Sequence, residues 1–298
     1  MPIHAIPRRL TTALAVLGAA APLLTACALI RPADPEHDTQ VALEHFHGLT
    51  TDPETGGLLI ASHGGIFRLD ALTASAELTG PLAGNDFDAM GFTAVDGALY
   101  ASGHPGPNSP DHFGAGNLGL IRSGDNARTW TNVAFTAEAD FHDLAISASA
   151  PNRIYANNYG IVYRSDDGGR TWNDGVGVDA RDILADPNDS DTVYATAPEG
   201  LYVSHDGAQT FELDKSAPRM LLIAVNSLGL LVGTSFDGTL VYQLASGEWA
   251  NGGEYEGAVQ ALTVTPADEI AVADDRGIVL TADFGTTWED IFRPEPHS

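Results

Sequence analysis

Apolar residues fall in short runs along this chain, and Gly, Asp, Asn or Pro close nearly every run. Leu58–Ser62, Ala98–Ser102, Leu118–Arg122, Ile154–Asn157, Ile161–Ser165, Val193–Thr196, Gly200–Ser204, Leu230–Gly233, Gly238–Gln243, Ile270–Ala273 and Gly277–Thr281 all read this way. Runs of that length, bounded by turn signals, predict β-strands, and no stretch calls for a long helix. The strands group into sets. Each set opens on a segment that predicts an innermost strand, near His47–Thr51, Asp88–Phe92, Phe141–Leu144, Arg181–Leu184, Met220–Leu222 and Val259–Leu262. Six sets of four strands, A to D, are expected.

A repeat inside this pattern fixes the architecture it predicts. Ser123-Gly-Asp125-Asn-Ala-Arg-Thr129-Trp130 returns as Ser165-Asp-Asp167-Gly-Gly169-Arg-Thr171-Trp172, then as Ser204-His-Asp206-Gly-Ala208-Gln-Thr210-Phe211, then as Thr281-Ala-Asp283-Phe-Gly285-Thr-Thr287-Trp288. The copies start 42, 39 and 77 residues apart, the last interval being two periods with a worn copy at Ala245–Trp249 between them. A period of about 40 residues built from short strands is one propeller blade, so the chain predicts an all-β, six-bladed β-propeller. The form S-x-D-x-G-x-T-W is the Asp-box. Its hydroxyl and carboxylate accept turn amides, and its Trp supplies a wedge between sheets. Asp125, Trp130, Asp167, Trp172, Asp206, Phe211, Asp283 and Trp288 are therefore expected to be structural, at the turn between strands C and D. Ala127 and Ala208 stand where Gly is usual, and Phe211 where Trp is, which predicts looser turns there.

The first residues read differently. Arg8-Arg9, an apolar run from Leu10 to Leu24, and Leu24-Thr-Ala-Cys27 resemble a bacterial lipoprotein signal, with cleavage before Cys27 and a lipid on its sulfur. The run is short for a membrane span. Cys27 is the chain's lone cysteine, so no intrachain disulfide forms. The expected layout is a signal peptide over 1–26, a lipidated tether over 27–43, the propeller over 44–293 and a tail over 294–298. The protein is then held outside the cytoplasm on the membrane by its lipid, as a monomer.

Net charge changes the choice of partner. At −26 with one lysine, Lys215, the chain has too few cations to neutralise phosphates, which excludes nucleic acid. It also draws cations toward any acidic pocket.

Ten histidines carry the candidate chemistry. His45, His47 and His142 approach an A strand, while His63, His104 and His112 follow a B strand. By blade register all six share the face that carries the D-to-A and B-to-C connections. In His45-Phe-His47 the i, i+2 spacing points both rings to one side of an extended chain. Asp86, Asp88 and Asp140 lie in nearby loops. His47, His63, His104 and His142, flanked by Asp88 and Asp140, suit Zn²⁺ or Cu²⁺. Two other roles fit the same residues: a polar pocket for a small non-metal ligand, and plain hydrogen bonding between inner strands. The long loop Pro105–Asn117 reads as a lid.

The stretches His45-Phe-His-Gly-Leu49, Ala61-Ser-His-Gly-Gly-Ile-Phe67, Met90-Gly-Phe92, Ser102-Gly-His-Pro105 and Ala139-Asp-Phe-His142 resemble actinobacterial BNR/Asp-box lipoproteins named glycosyl hydrolases or exo-sialidases. The resemblance covers nearly the whole chain. It implies a propeller lipoprotein and little about chemistry, because this fold hosts many functions. A sialidase would need an arginine trio and a Tyr/Glu pair, for which Arg181, Arg219, Arg276, Tyr255 and Glu254 are the candidates. The expected Phe-Arg-Ile-Pro of a first sialidase blade is replaced by His45-Phe-His47-Gly48. Photosystem-assembly propellers share such repeats, but the signal and the histidines do not point there. Ligand binding on the histidine face, most concretely of Cu or Zn, is the leading expectation. Sialidase-type hydrolysis and a protein-interaction scaffold are the alternatives.

Overall fold

The computed structural model describes Leu43 and residues 45–294. The signal, Cys27 and nearly all of the tether lie outside the described residues, as does most of the tail. Among the described residues there is no α-helix, only two 3-10 turns at Leu82–Gly84 and Asp111–Phe113. No helix there is long and apolar enough to cross a membrane.

Six four-stranded antiparallel sheets follow one another in chain order, each built from consecutive strands. Blade one comprises Phe46–Thr51, Leu58–Ser62, Gly65–Leu69 and Leu78–Thr79. Blade two comprises Asp88–Val95, Ala98–His104, Leu120–Ser123 and Thr131–Ala134. The inner strands of blades three to six are Asp143–Ile146, Asp182–Ala185, Leu222–Val225 and Ala261–Val264. Each inner strand packs on the next, and that of blade six returns to blade one, so the ring closes. Among the described residues no strand is shared across the seam. Apolar packing of Phe46, Leu58 and Ile60 on Ala271, Ala273 and Ile278 holds it, with the Phe46 main-chain N–H donating to Gln260 Oε1 at 2.8 Å.

The cores lie between blades. Leu59, Ala61 and Ile66 of blade one pack against Phe87, Leu99 and Trp130 of blade two. Tyr100 and Leu120 of blade two meet Phe141, Leu144 and Trp172 of blade three. Each Asp-box draws its turn together in the same way. Ser165 Oγ accepts the Gly169 N–H at 2.8 Å, while Asp167 accepts the Thr171 N–H at 2.8 Å and the Thr171 hydroxyl at 2.7 Å. The boxes carrying alanine are not looser. Ser123 and Ser204 accept the Ala127 and Ala208 N–H groups at 2.9 Å in both cases, because the two alanines adopt φ of 64° and 60°. A left-handed alanine costs about 1–2 kcal/mol, and burying its methyl returns about 0.8 kcal/mol, so the substitution is tolerated. In blade five the worn copy keeps a short turn, with Gly247 N–H donating to Leu244 O at 2.8 Å and the Ser246 hydroxyl donating to Glu248 at 3.0 Å in place of the Ser–Asp contact.

Candidate metal centre

His45, His47, His63, His104 and His142 gather at one rim of the ring, and the backbone explains how. Strand A of blade one pairs Phe46 with Ser62 and Gly48 with Ala61, leaving His47 as an extra residue in a β-bulge. A bulge re-aims the side chain it carries. His45, just outside the strand, has a positive φ of 55°. The stretch is therefore not regularly extended, and the i, i+2 argument is not what unites the two rings. Both still reach His63, whose ring centroid lies 5.1 Å from that of His45 and 4.6 Å from that of His47.

His63 follows strand B of blade one, and Asp88 opens strand A of blade two. Their meeting forms the tightest cluster of the rim. His63 Nδ1 lies 2.9 Å from Asp88 Oδ2, and His47 Nε2 lies 3.4 Å from Asp88 Oδ1. The two imidazole nitrogens are 3.4 Å apart. Burial pushes the Asp88 carboxyl up, but the hydrogen bonds from His47 and His63 outweigh it and hold the group below the usual range. Among the described residues, His47, His63 and Asp88 alone bring three ligand atoms within 4.8 Å of one another. Donors about 2.0–2.1 Å from one tetrahedral ion stand roughly 3.3 Å apart. The two ring nitrogens already have that spacing, and each stands against one oxygen of the Asp88 carboxylate.

His104 and His142 do not join it. They turn to Asp140, with Nε2 atoms 3.2 and 3.6 Å from its Oδ2. The four favoured imidazoles thus divide between two carboxylates, one blade apart. His112 belongs to neither group: its Nε2 lies 3.3 Å from the Trp130 carbonyl oxygen, and its ring packs on Phe113. The loop expected to act as a lid is fastened down by the fully buried Phe113 and by Asp86, which accepts the Asn108 side-chain amide at 2.9 Å. Tyr159, which sequence reasoning passed over, is 75% exposed with its ring 4.4 Å from that of His142. Its one sequence signal is the Asn158-Tyr159-Gly160 turn, in which Tyr159 takes a φ of 49°.

The sialidase candidates sit on blades four to six, and two of the three arginines are already engaged. Arg276 grips the buried Asp274 through Nε and Nη2 at 2.8 and 2.7 Å and lies over the Tyr255 ring. Burial pushes the Tyr255 phenol up to about 12, which makes it a poor nucleophile at neutral pH. Arg219 donates to the Pro198 carbonyl and lies over Phe236. Arg181 is exposed. Glu254, Tyr255, Glu256 and Arg276 line a cleft of about 440 Å³ that also reaches Trp288.

No family model and no curated protein matches the chain. Solved structures do. A GH74 enzyme from Niastella koreensis aligns at a TM-score of 0.60 with 18% identity, over 84% of this chain and 45% of that one. A GH74 xyloglucanase from Xanthomonas campestris aligns at 0.55 with 16% identity, over 84% and 45%. YCF48 bound to a D1 peptide aligns at 0.50 with 14% identity, over 84% and 83%. The chain spans less than half the length of the two GH74 chains. At these identities the likeness is one of fold.

Proposed function

We propose that this propeller binds a divalent transition ion, Zn²⁺ or Cu²⁺, through His47 Nε2, His63 Nδ1 and Asp88. The observation that carries the reading is the convergence of two imidazoles on one carboxylate, with one donor atom from each residue within 4.8 Å of the other two and the two ring nitrogens 3.4 Å apart. Two imidazoles and a carboxylate form a borderline donor set, which favours Zn²⁺ or Cu²⁺ over Mg²⁺ or Ca²⁺. His63 is half-exposed, so the ion is reached from solvent, and the remaining coordination positions stay open to water or a small ligand. With the lipid on Cys27, the job is capture or delivery of the ion at the outer face of the membrane, by a monomer. Calorimetric titration of the full-length chain in detergent tests this with Zn²⁺ and Cu²⁺. Affinity should fall at least roughly tenfold in His47→Ala and in His63→Ala. Equal, weak binding by wild type and both variants would sink the reading.

A second reading, hydrolysis of an acidic glycoside, draws on the cleft where Glu254, Tyr255 and Arg276 meet. Release of 4-methylumbelliferone from a sialoside, lost in Tyr255→Phe, is its expected signature. No release across a broad glycoside panel would dismiss it.

A further inference from the structure

The cluster around Asp88 has a counterpart one blade on. His104 ends strand B of blade two, as His63 follows strand B of blade one, and Asp140 and His142 lead into blade three as Asp88 leads into blade two. The two clusters are neighbours, because Asp88 and His104 face each other across the A–B pair of blade two.

The second cluster brings two imidazoles onto one oxygen of a buried carboxylate. His104 Nδ1 lies 3.3 Å from the Gly116 carbonyl oxygen. That oxygen only accepts, so Nδ1 carries the proton. In a neutral ring Nε2 is then a lone pair, yet it faces Asp140 Oδ2 at 3.2 Å. Two facing acceptors need a proton or a metal ion between them. His142 directs its own Nε2 at the same oxygen. Asp140 is only 4% exposed, and its Oδ1 and the Nδ1 of His142 are both buried without a partner. Leaving such groups unpaired is costly. An added proton on His104 answers one of these contacts. An ion bound by Asp140 answers both imidazoles.

We infer that His104, Asp140 and His142 form a second site for a divalent transition ion, so that the rim holds two ions side by side. This rests on the reading given for His47, His63 and Asp88 and extends it. The second trio is more open than the first, which alone closes within 4.8 Å, so one imidazole turns inward as the ion enters. The side chains of His104 and His142, 45% and 31% exposed, have room to do so.

Stoichiometry decides the matter. The full-length chain in detergent, without affinity-tag histidines, is titrated with Zn²⁺ by calorimetry and checked by native mass spectrometry. Wild type, His63→Ala, His104→Ala and Asp140→Asn are compared, with circular dichroism confirming that each is folded. Two ions should bind to wild type and one to each variant. Asp140→Asn guards against a packing artefact, since it keeps the side chain's shape. One ion in wild type, lost in His63→Ala and kept in His104→Ala and Asp140→Asn, overturns the inference and leaves the first site standing. A single ion lost in every variant also overturns it, because one shared site then replaces two. No ion in wild type removes both.

Discussion

Asp143 and Asp182 begin the inner strands of blades three and four, and each accepts a main-chain N–H from the next blade, Ile183 at 2.5 Å and Ile223 at 2.7 Å. Burial pushes both carboxyls up; the neighbouring Asp143 drives Asp182 further, whereas the hydrogen bond from Asp182 pulls Asp143 part of the way back down. A carboxyl raised in the folded state destabilises at neutral pH, and stability returns as pH falls through its folded value toward the ordinary value near 3.9. Asp182→Asn should therefore melt higher than wild type at pH 8, with the gap closing toward pH 4. A lower melting point at pH 8 would contradict this. The Asp-box carboxylates have the opposite sign. Hydrogen bonds from Thr129, Thr171 and Thr210 hold Asp125, Asp167 and Asp206 at about 2. Their contribution is full above pH 4 and is lost as pH falls through about 2. Asp167→Ala should lower the urea midpoint at pH 7 and make little difference at pH 2; an equal loss at both values would contradict the assignment.

At the scale of strands and turns, the blades were legible from sequence because an Asp-box marks the C–D turn of blades two, three, four and six and short apolar runs mark the strands. The division of the histidines was not. Nothing in His45-Phe-His47-Gly48 announces the bulge that turns His47 toward the rim. Nor does a chain reading reveal that the imidazoles of His47 and His63, from blade one, share a carboxylate from blade two. His112 was misleading because the 3-10 turn at Asp111–Phe113 draws it toward Trp130. Tyr159 was passed over because its turn reads as an ordinary hairpin. Gly103 shows how tightly the strands set the site. Its φ is 138°, and a Cβ there would stand 1.9 Å from the Asp88 carbonyl oxygen. Gly103→Ala should push Asp88 away from His47 and His63 and weaken Zn²⁺ binding about tenfold, which titration will show. Unchanged affinity would mean that Asp88 is not a ligand.

Across the whole molecule, packing between blades supports the rim. Phe141 lies between Asp140 and His142 in the chain, is 2% exposed, and stacks on Trp172 with centroids 5.5 Å apart. Phe141→Ala should cost about 3–5 kcal/mol in chemical denaturation; a loss under about 1 kcal/mol would show that the blade-two to blade-three core is not continuous. The net charge of −26 surrounds the rim with a field that concentrates cations. The association rate for Zn²⁺ should fall as salt rises and the Debye length shortens. The most direct test of the metal reading is anomalous diffraction at the zinc edge from crystals of the Zn²⁺-loaded protein. The account predicts a peak about 2.0–2.1 Å from His47 Nε2, His63 Nδ1 and an Asp88 oxygen. A featureless rim, with zinc found only on scattered surface carboxylates, would contradict it.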